Sequence, residues 1–124
     1  MIKKPAIEIH LLELISLRIA QLCNCSYGIK IHSKELRLLG DTDLRMSLLY
    51  AWKATPYFSK KEIAVLQLVD YLIKKNTTNK WNFEFREGLL ELFNKKEIHY
   101  LIVAIQKIDL WSRLISIYKS KPIT

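Results

Sequence analysis

The segment Gln21 to Gly40, QLCNCSYGIKIHSKELRLLG, gathers two cysteines and a histidine: Cys23, Cys25 and His32. Two cysteines are too few for a structural disulfide framework and point to thiol chemistry or to none. Residues seven apart on an α-helix lie on one face with about 10 Å of rise between them, so Cys25 and His32 share a face without touching. Between them, three residues from one and four from the other, stands Gly28. A thiol at that position would neighbour both side chains. Glycine inside a helix costs up to about 1 kcal/mol relative to alanine, which leaves two explanations open: close approach of another helix, or room for a substrate or water beside Cys25. On a regular helix Cys23 points about 200° away from Cys25, whereas a disulfide brings Cβ atoms within about 4.5 Å. Such a bond needs a non-helical backbone, and Cys23 falls in the expected turn between two helices. The three side chains lack the spacing and the fourth ligand of a zinc site, so no metal is expected, and no cofactor either.

The elements that must position these residues are helical. Apolar residues recur at three- and four-residue spacing, as in Ile7, Leu11, Leu14, Ile15 and Leu22, and alternation of period two is nearly absent, which predicts an all-α protein. Its 124 residues suit a single domain, 1–124, with one core. The pattern predicts about six helices. The first runs from about Ala6 to Leu22 and the second from near Cys25 to Leu39, with Gly40 placed for a left-handed C-terminal turn. Asp41-Thr42-Asp43 caps a third through Trp52, and the capping box Ser59-Lys60-Lys61-Glu62 opens a fourth to about Lys75. After a polar loop, Asn76 to Lys80, a fifth covers Asn82 to Leu92; Asn94-Lys95-Lys96-Glu97 opens the last, which runs to about Tyr118. Phe58 and Phe93, one before each of these two starts, are candidate staples. The stripe Leu101, Ile102, Ile105, Ile108, Trp111 and Ile115 is wide for a small domain, so it serves the core or in part a second subunit.

Twenty Lys and Arg against twelve Asp and Glu give a net charge of +8. The lysines come in scattered pairs, whereas phosphate readers concentrate charge on one element, so the charge reads as a solvated surface and no nucleic-acid partner is expected. Met1-Ile2-Lys3-Lys4 looks like the start of a signal peptide, but Glu8, His10, Glu13 and Arg18 interrupt what would have to be an apolar core. No uncharged apolar stretch approaches the ~20 residues of a membrane span. These features predict a cytoplasmic protein with no membrane partner.

The segment around Cys25 resembles the active-site helix of the alkylhydroperoxidase D-like (AhpD-like) branch of the carboxymuconolactone decarboxylase family, whose usual pattern is C-x-x-C-x-x-x-H. Cys25 stands at the first cysteine, Gly28 at the second and His32 at the histidine. Glu13, in LLELISLRIAQL, matches the glutamate that such proteins place on the preceding helix. Tyr50-Ala51-Trp52 with Tyr57 to Glu62 resembles the family's Trp-then-Phe-x-x-x-Glu segment, and Ile108 to Leu114 its closing Trp-Asn-Arg motif, with Ser112 in place of asparagine. The resemblance covers Leu11 to Pro122. It implies a single-domain AhpD-like helical bundle, assembled as a homo-oligomer, a trimer or hexamer, with the thiol site near a subunit contact. Active relatives reduce hydroperoxides or regenerate a peroxiredoxin, passing through an internal disulfide that a dithiol partner reduces. A peroxidatic cysteine reacts as the thiolate, which a helix N-terminus and a nearby base promote. The resemblance assigns attack to Cys25, assistance in proton transfer to Glu13, and delivery of a proton to the departing hydroxyl to His32.

Glycine at position 28 leaves an oxidised Cys25 without a resolving thiol on its own helix face. Three outcomes follow: resolution by Cys23, resolution by an external thiol, or a silent site on a retained scaffold. Bland readings exist for each residue: a buried cysteine as inert filler, His32 as a hydrogen-bonded structural residue, Glu13 paired with a base such as Arg18. The expected function is that of a diverged AhpD-like antioxidant protein reducing hydroperoxides at Cys25 with a thiol reductant or a peroxiredoxin partner. The alternative is a non-catalytic oligomeric helical protein. Carboxylactone decarboxylation, the chemistry of the family's other branch, ranks last.

Overall fold

The computed structural model describes residues 7–74 and 82–119. Six α-helices and no strand occur among them: α1 Ile9–Leu22, α2 Ser26–Leu38, α3 Asp43–Leu48, α4 Lys60–Ile73, α5 Phe83–Leu92 and α6 Lys95–Lys119. The polar stretch expected as a loop, Asn76 to Lys80, lies outside the described residues, as do Ala6, Lys75 and Pro122.

Helix α1 is the centre of the bundle. Every residue from Leu14 to Gln21 is buried, as in a helix enclosed on all sides, and α1 packs against α2, α4 and α6. Two apolar clusters form along it. Leu11, Ile15 and Ile19 join Val65, Leu68 and Val69 of α4, Leu89 of α5, and Leu101 and Ile105 of α6. Leu14 and Leu17 join Leu36, Met46, Leu49, Trp52, Phe58 and Leu66. A buried charge on an enclosed helix is costly unless it is paired. Arg18 accordingly meets Asp70 of α4 in a two-pronged ion pair, Nε to Oδ1 and Nη2 to Oδ2, both at 3.0 Å. Trp52 donates its indole N–H to the same carboxylate at 3.2 Å, and Arg18 Nη1 donates to the Leu49 carbonyl at 3.3 Å. The suggestion that Glu13 pairs with Arg18 is therefore wrong, because the buried Asp70 carboxylate claims the guanidinium.

The predicted caps form. Thr42 accepts the Arg45 N–H, Ser59 and Glu62 close a reciprocal capping box, and Asn94 and Glu97 exchange bonds of 2.9 and 2.8 Å at the start of α6. Phe58 and Phe93 are buried, and Ile63 and Ile98 pack against the same respective clusters, as the staple positions require. Gly40 has φ +94, and Asp41 N–H reaches back to Leu36 O at 2.9 Å, closing α2 in a Schellman turn. One element departs from expectation. The third helix does not continue as α-helix through Trp52: it ends at Leu48 and tightens into a 3₁₀ segment, Leu49–Ala54, with a kink at Ala51. That bend presents both the Leu49 carbonyl and the Trp52 indole to the Arg18–Asp70 pair, so a tertiary polar requirement overrides local helical continuity.

Candidate functional site

Three residues, Cys23, Asn24 and Cys25, separate α1 from α2, and their conformation sets the position of the thiols. Helix α1 ends with Asn24 in the left-handed region, φ 53, while Cys25 N–H donates to Ala20 O at 2.9 Å and Asn24 N–H to Gln21 O at 3.2 Å. This is again a Schellman turn, here with asparagine in the left-handed place more often given to glycine. The reversal leaves Cys25 extended, at the N-cap of α2, where its Sγ accepts the Gly28 N–H at 3.4 Å. That bond satisfies one of the unpaired amides at the helix start and sets the sulfur against the helix's partial positive charge.

Cys25 is 2% exposed. It lines a pocket of about 240 Å³ together with Tyr27, Gly28, Ile31 and His32 of α2 and Trp111, Ser112 and Ile115 of α6. His32 is held from the other side: its Nδ1 lies 2.7 Å from Glu13 Oε2 on α1. A carboxylate only accepts, so Nδ1–H donates to Glu13, and the second ring nitrogen, Nε2, makes no hydrogen bond among the described residues. Three of the four residues singled out from sequence, Glu13, Cys25 and His32, thus meet in one arrangement.

Gly28 is explained by close approach. A Cβ built there would lie 3.0 Å from Ala20 Cβ on α1 and 3.3 Å from Cys25 Sγ. Both readings left open by the sequence hold at once, since Gly28 also lines the pocket beside the sulfur.

Cys23 stands apart. It caps the end of α1, packs with the apolar cluster between α1, α4 and α6, and donates its thiol hydrogen to Asp109 Oδ1 of α6 at 3.4 Å. Asp109 is in turn paired with Arg113 at 3.0 Å. Burial, and then the hydrogen bond and charge of Asp109, push the Cys23 thiol up to about 11. The backbone between Cys23 and Cys25 is a turn and not a helix, so the angular objection to a bond between them falls away, yet both cysteines are free thiols. In a Cys25→Ser background, alkylation of Cys23 is expected to climb about tenfold per pH unit between about pH 8 and 10, because only the thiolate reacts. Asp109→Asn is expected to speed labelling at pH 8, because it removes the charge that, after burial, holds the thiol protonated. A Cys23 rate that levels off near pH 9, or one that Asp109→Asn leaves unchanged, contradicts the account.

Sequence reasoning missed the contribution of α6. Trp111, Ser112 and Ile115 wall the pocket, whereas the sequence treated Trp111 and Ile115 as core or subunit-facing and Ser112 only as a motif position. The position of Ile115, four residues from Trp111 and three from Ser112, was the available signal. No group of three or more metal-binding side chains occurs among the described residues.

The carboxymuconolactone decarboxylase family matches residues 1–71, which take in α1, the turn with both cysteines, α2 and most of α4. The chain belongs to this family. Among relatives, it is 27% identical to the uncharacterized protein YdfG of Bacillus subtilis (strain 168) over 112 residues, 90% of this chain and 76% of that one. A crystal structure of a protein of unknown function from Agrobacterium tumefaciens, put forward as an antioxidant defence protein AhpD, superposes with a TM-score of 0.82 at 28% identity. The match covers 95% of this chain and 81% of that one. This carboxymuconolactone decarboxylase family member therefore has the AhpD-like all-α fold expected of it.

Proposed function

We propose that this chain is an AhpD-like antioxidant protein that reduces organic hydroperoxides at Cys25 using a thiol reductant. The observation that carries the reading is the placement of Cys25 and His32 on one pocket, with His32 fixed by Glu13 at 2.7 Å. A nucleophile, a base and a group that orients the base are the parts of an activated-nucleophile site. Because no hydrogen bond joins Cys25 and His32 among the described residues, the proton passes between them through a pocket water or the peroxide itself. His32 takes the thiol proton at Nε2, and Glu13 stabilises the imidazolium. The Cys25 sulfur attacks one peroxide oxygen, the O–O bond breaks, and Cys25 becomes a sulfenic acid. His32 returns the proton to the departing alkoxide, which leaves as the alcohol. The walls formed by Tyr27, Ile31, Trp111 and Ile115 suit an organic peroxide with an apolar group.

Assembly belongs to the same proposal. The second half of α6 exposes Leu110, Trp111, Leu114, Ile117 and Tyr118, with Trp111 at 63%, and a homo-oligomer would cover them beside the pocket mouth. No helix among the described residues is long and apolar enough to cross a membrane, and the reducing cytosol would keep both thiols free.

Wild-type protein supplied with cumene hydroperoxide and a thiol is expected to consume the peroxide, and Cys25→Ser to consume none above background. Activity at the wild-type level in Cys25→Ser would sink the proposal. Gly28 in place of a second cysteine favours the competing reading, a scaffold that has lost the chemistry. That reading predicts that peroxide leaves both cysteines unmodified.

A further inference from the structure

We infer that oxidised Cys25 is resolved by a low-molecular-weight monothiol entering the pocket, and not by Cys23 or by the exposed dithiol of a protein partner. The inference rests on the peroxidase reading above and specifies its reductant.

The first support is the exclusion of internal resolution. A resolving thiol must attack as its thiolate within reach of the sulfenic sulfur. Position 28, where a neighbour of Cys25 on its own helix would sit, is glycine. Cys23 is anchored elsewhere: its thiol donates to Asp109, which Arg113 holds, and it is not among the residues lining the pocket onto which Cys25 opens. A carboxylate that accepts the S–H stabilises the thiol over the thiolate, the opposite of what a resolver requires. Attack by Cys23 would break that bond.

The second support is access. Cys25, 2% exposed, opens onto the pocket. At about 240 Å³ this space falls below the ~300–1,000 Å³ of sites for drug-sized ligands, and suits a thiol the size of a free amino acid. A cysteine carried on the surface of a folded protein would have to bring its backbone into the same space. The pocket also contains a polar group on its α6 wall. Ser112 is 5% exposed, lines the pocket, and makes no hydrogen bond among the described residues. Its hydroxyl on the pocket wall can donate to or accept from the polar head of a small thiol. Lys119, whose Nζ sits 5.1 Å from the centre of the Tyr27 ring, adds positive charge near that pocket-lining residue and favours a thiol bearing a carboxylate.

The cycle balances. Cys25 sulfenic acid and one monothiol form a mixed disulfide and release water, the sulfenic hydroxyl leaving with the thiol hydrogen. A second monothiol attacks the external sulfur of the mixed disulfide, the S–S bond breaks, Cys25 returns to the thiol, and the small disulfide departs.

Reduced wild-type protein treated with one equivalent of cumene hydroperoxide and read by intact mass and thiol mapping tests this directly. The expected product is one oxygen gained on Cys25, converted by added L-cysteine to a cysteinyl mixed disulfide on Cys25. Turnover is then expected with L-cysteine alone, in wild type and in Cys23→Ser. Loss of two hydrogens with a Cys23–Cys25 bond would overturn the inference while leaving the peroxidase reading intact. So would turnover that is confined to dithiols or lost in Cys23→Ser. No mass change at either cysteine would instead defeat the peroxidase reading itself.

Discussion

Asp70→Ala is expected to destabilise the protein by about 3–5 kcal/mol, the cost of stranding one member of a buried ion pair. The Asp70 side chain is 1% exposed and the Arg18 side chain 5%. Removing the carboxylate leaves a guanidinium with the Leu49 carbonyl as its only remaining acceptor among the described residues, and leaves the Trp52 indole N–H without a partner. Against a typical total of about 5–15 kcal/mol for a domain, such a loss removes a large part of the folding free energy. It also bears on the site, because the pair locks α1, which carries Glu13, to α4. The double variant Arg18→Met/Asp70→Leu is expected to regain most of the loss, since well-packed apolar replacements of a buried pair are commonly neutral or better. Urea unfolding of the three proteins distinguishes the cases. A change below about 1 kcal/mol for Asp70→Ala would mean that the pair is solvated in a way the fold does not suggest.

His32→Ala is expected to lower the rate of peroxide reduction by about a hundredfold or more, within the 10²–10⁴ that a positioned acid–base group supplies. Glu13→Gln keeps the shape and the hydrogen-bonding reach but removes the charge that fixes the ring, so a smaller loss in the same direction is expected. Because the two residues act as one unit, the double variant is expected to be no slower than His32→Ala alone, as for groups that share a role. Additive losses would show instead that Glu13 acts independently of the histidine. Bland structural roles would alter unfolding more than turnover.

Much of this was legible in the sequence, and the parts that were not share a cause. The helical period, the two capping boxes at Ser59 and Asn94, and the left-handed Gly40 are local signals, and local interactions fixed those elements as expected. The spacing of Cys25 and His32 put them on one face, and the structure places both on one pocket. What escaped depends on contacts between segments far apart. Arg18 and Asp70 are 52 residues apart, so no local pattern announces that they meet, and the shortened α3 follows from their needs. The pocket wall from α6 is likewise a matter of how that helix crosses α2. Asn24 carried a local signal that was overlooked, since asparagine tolerates the left-handed conformation that separates the two cysteines. The apolar stripe of α6 divides: Leu101 and Ile105 are buried, whereas Trp111 lies open.

The central claim is that Cys25 is a thiol activated toward peroxides by its place at the start of α2 and by the Glu13–His32 pair. The most direct measurement is the second-order rate constant for a single turnover of reduced wild-type protein with cumene hydroperoxide, set beside free L-cysteine under the same conditions. The account predicts a rate at least about a hundredfold above the free thiol, with the oxygen found on Cys25. A rate no faster than free cysteine would contradict it and leave the AhpD-like fold without AhpD-like chemistry.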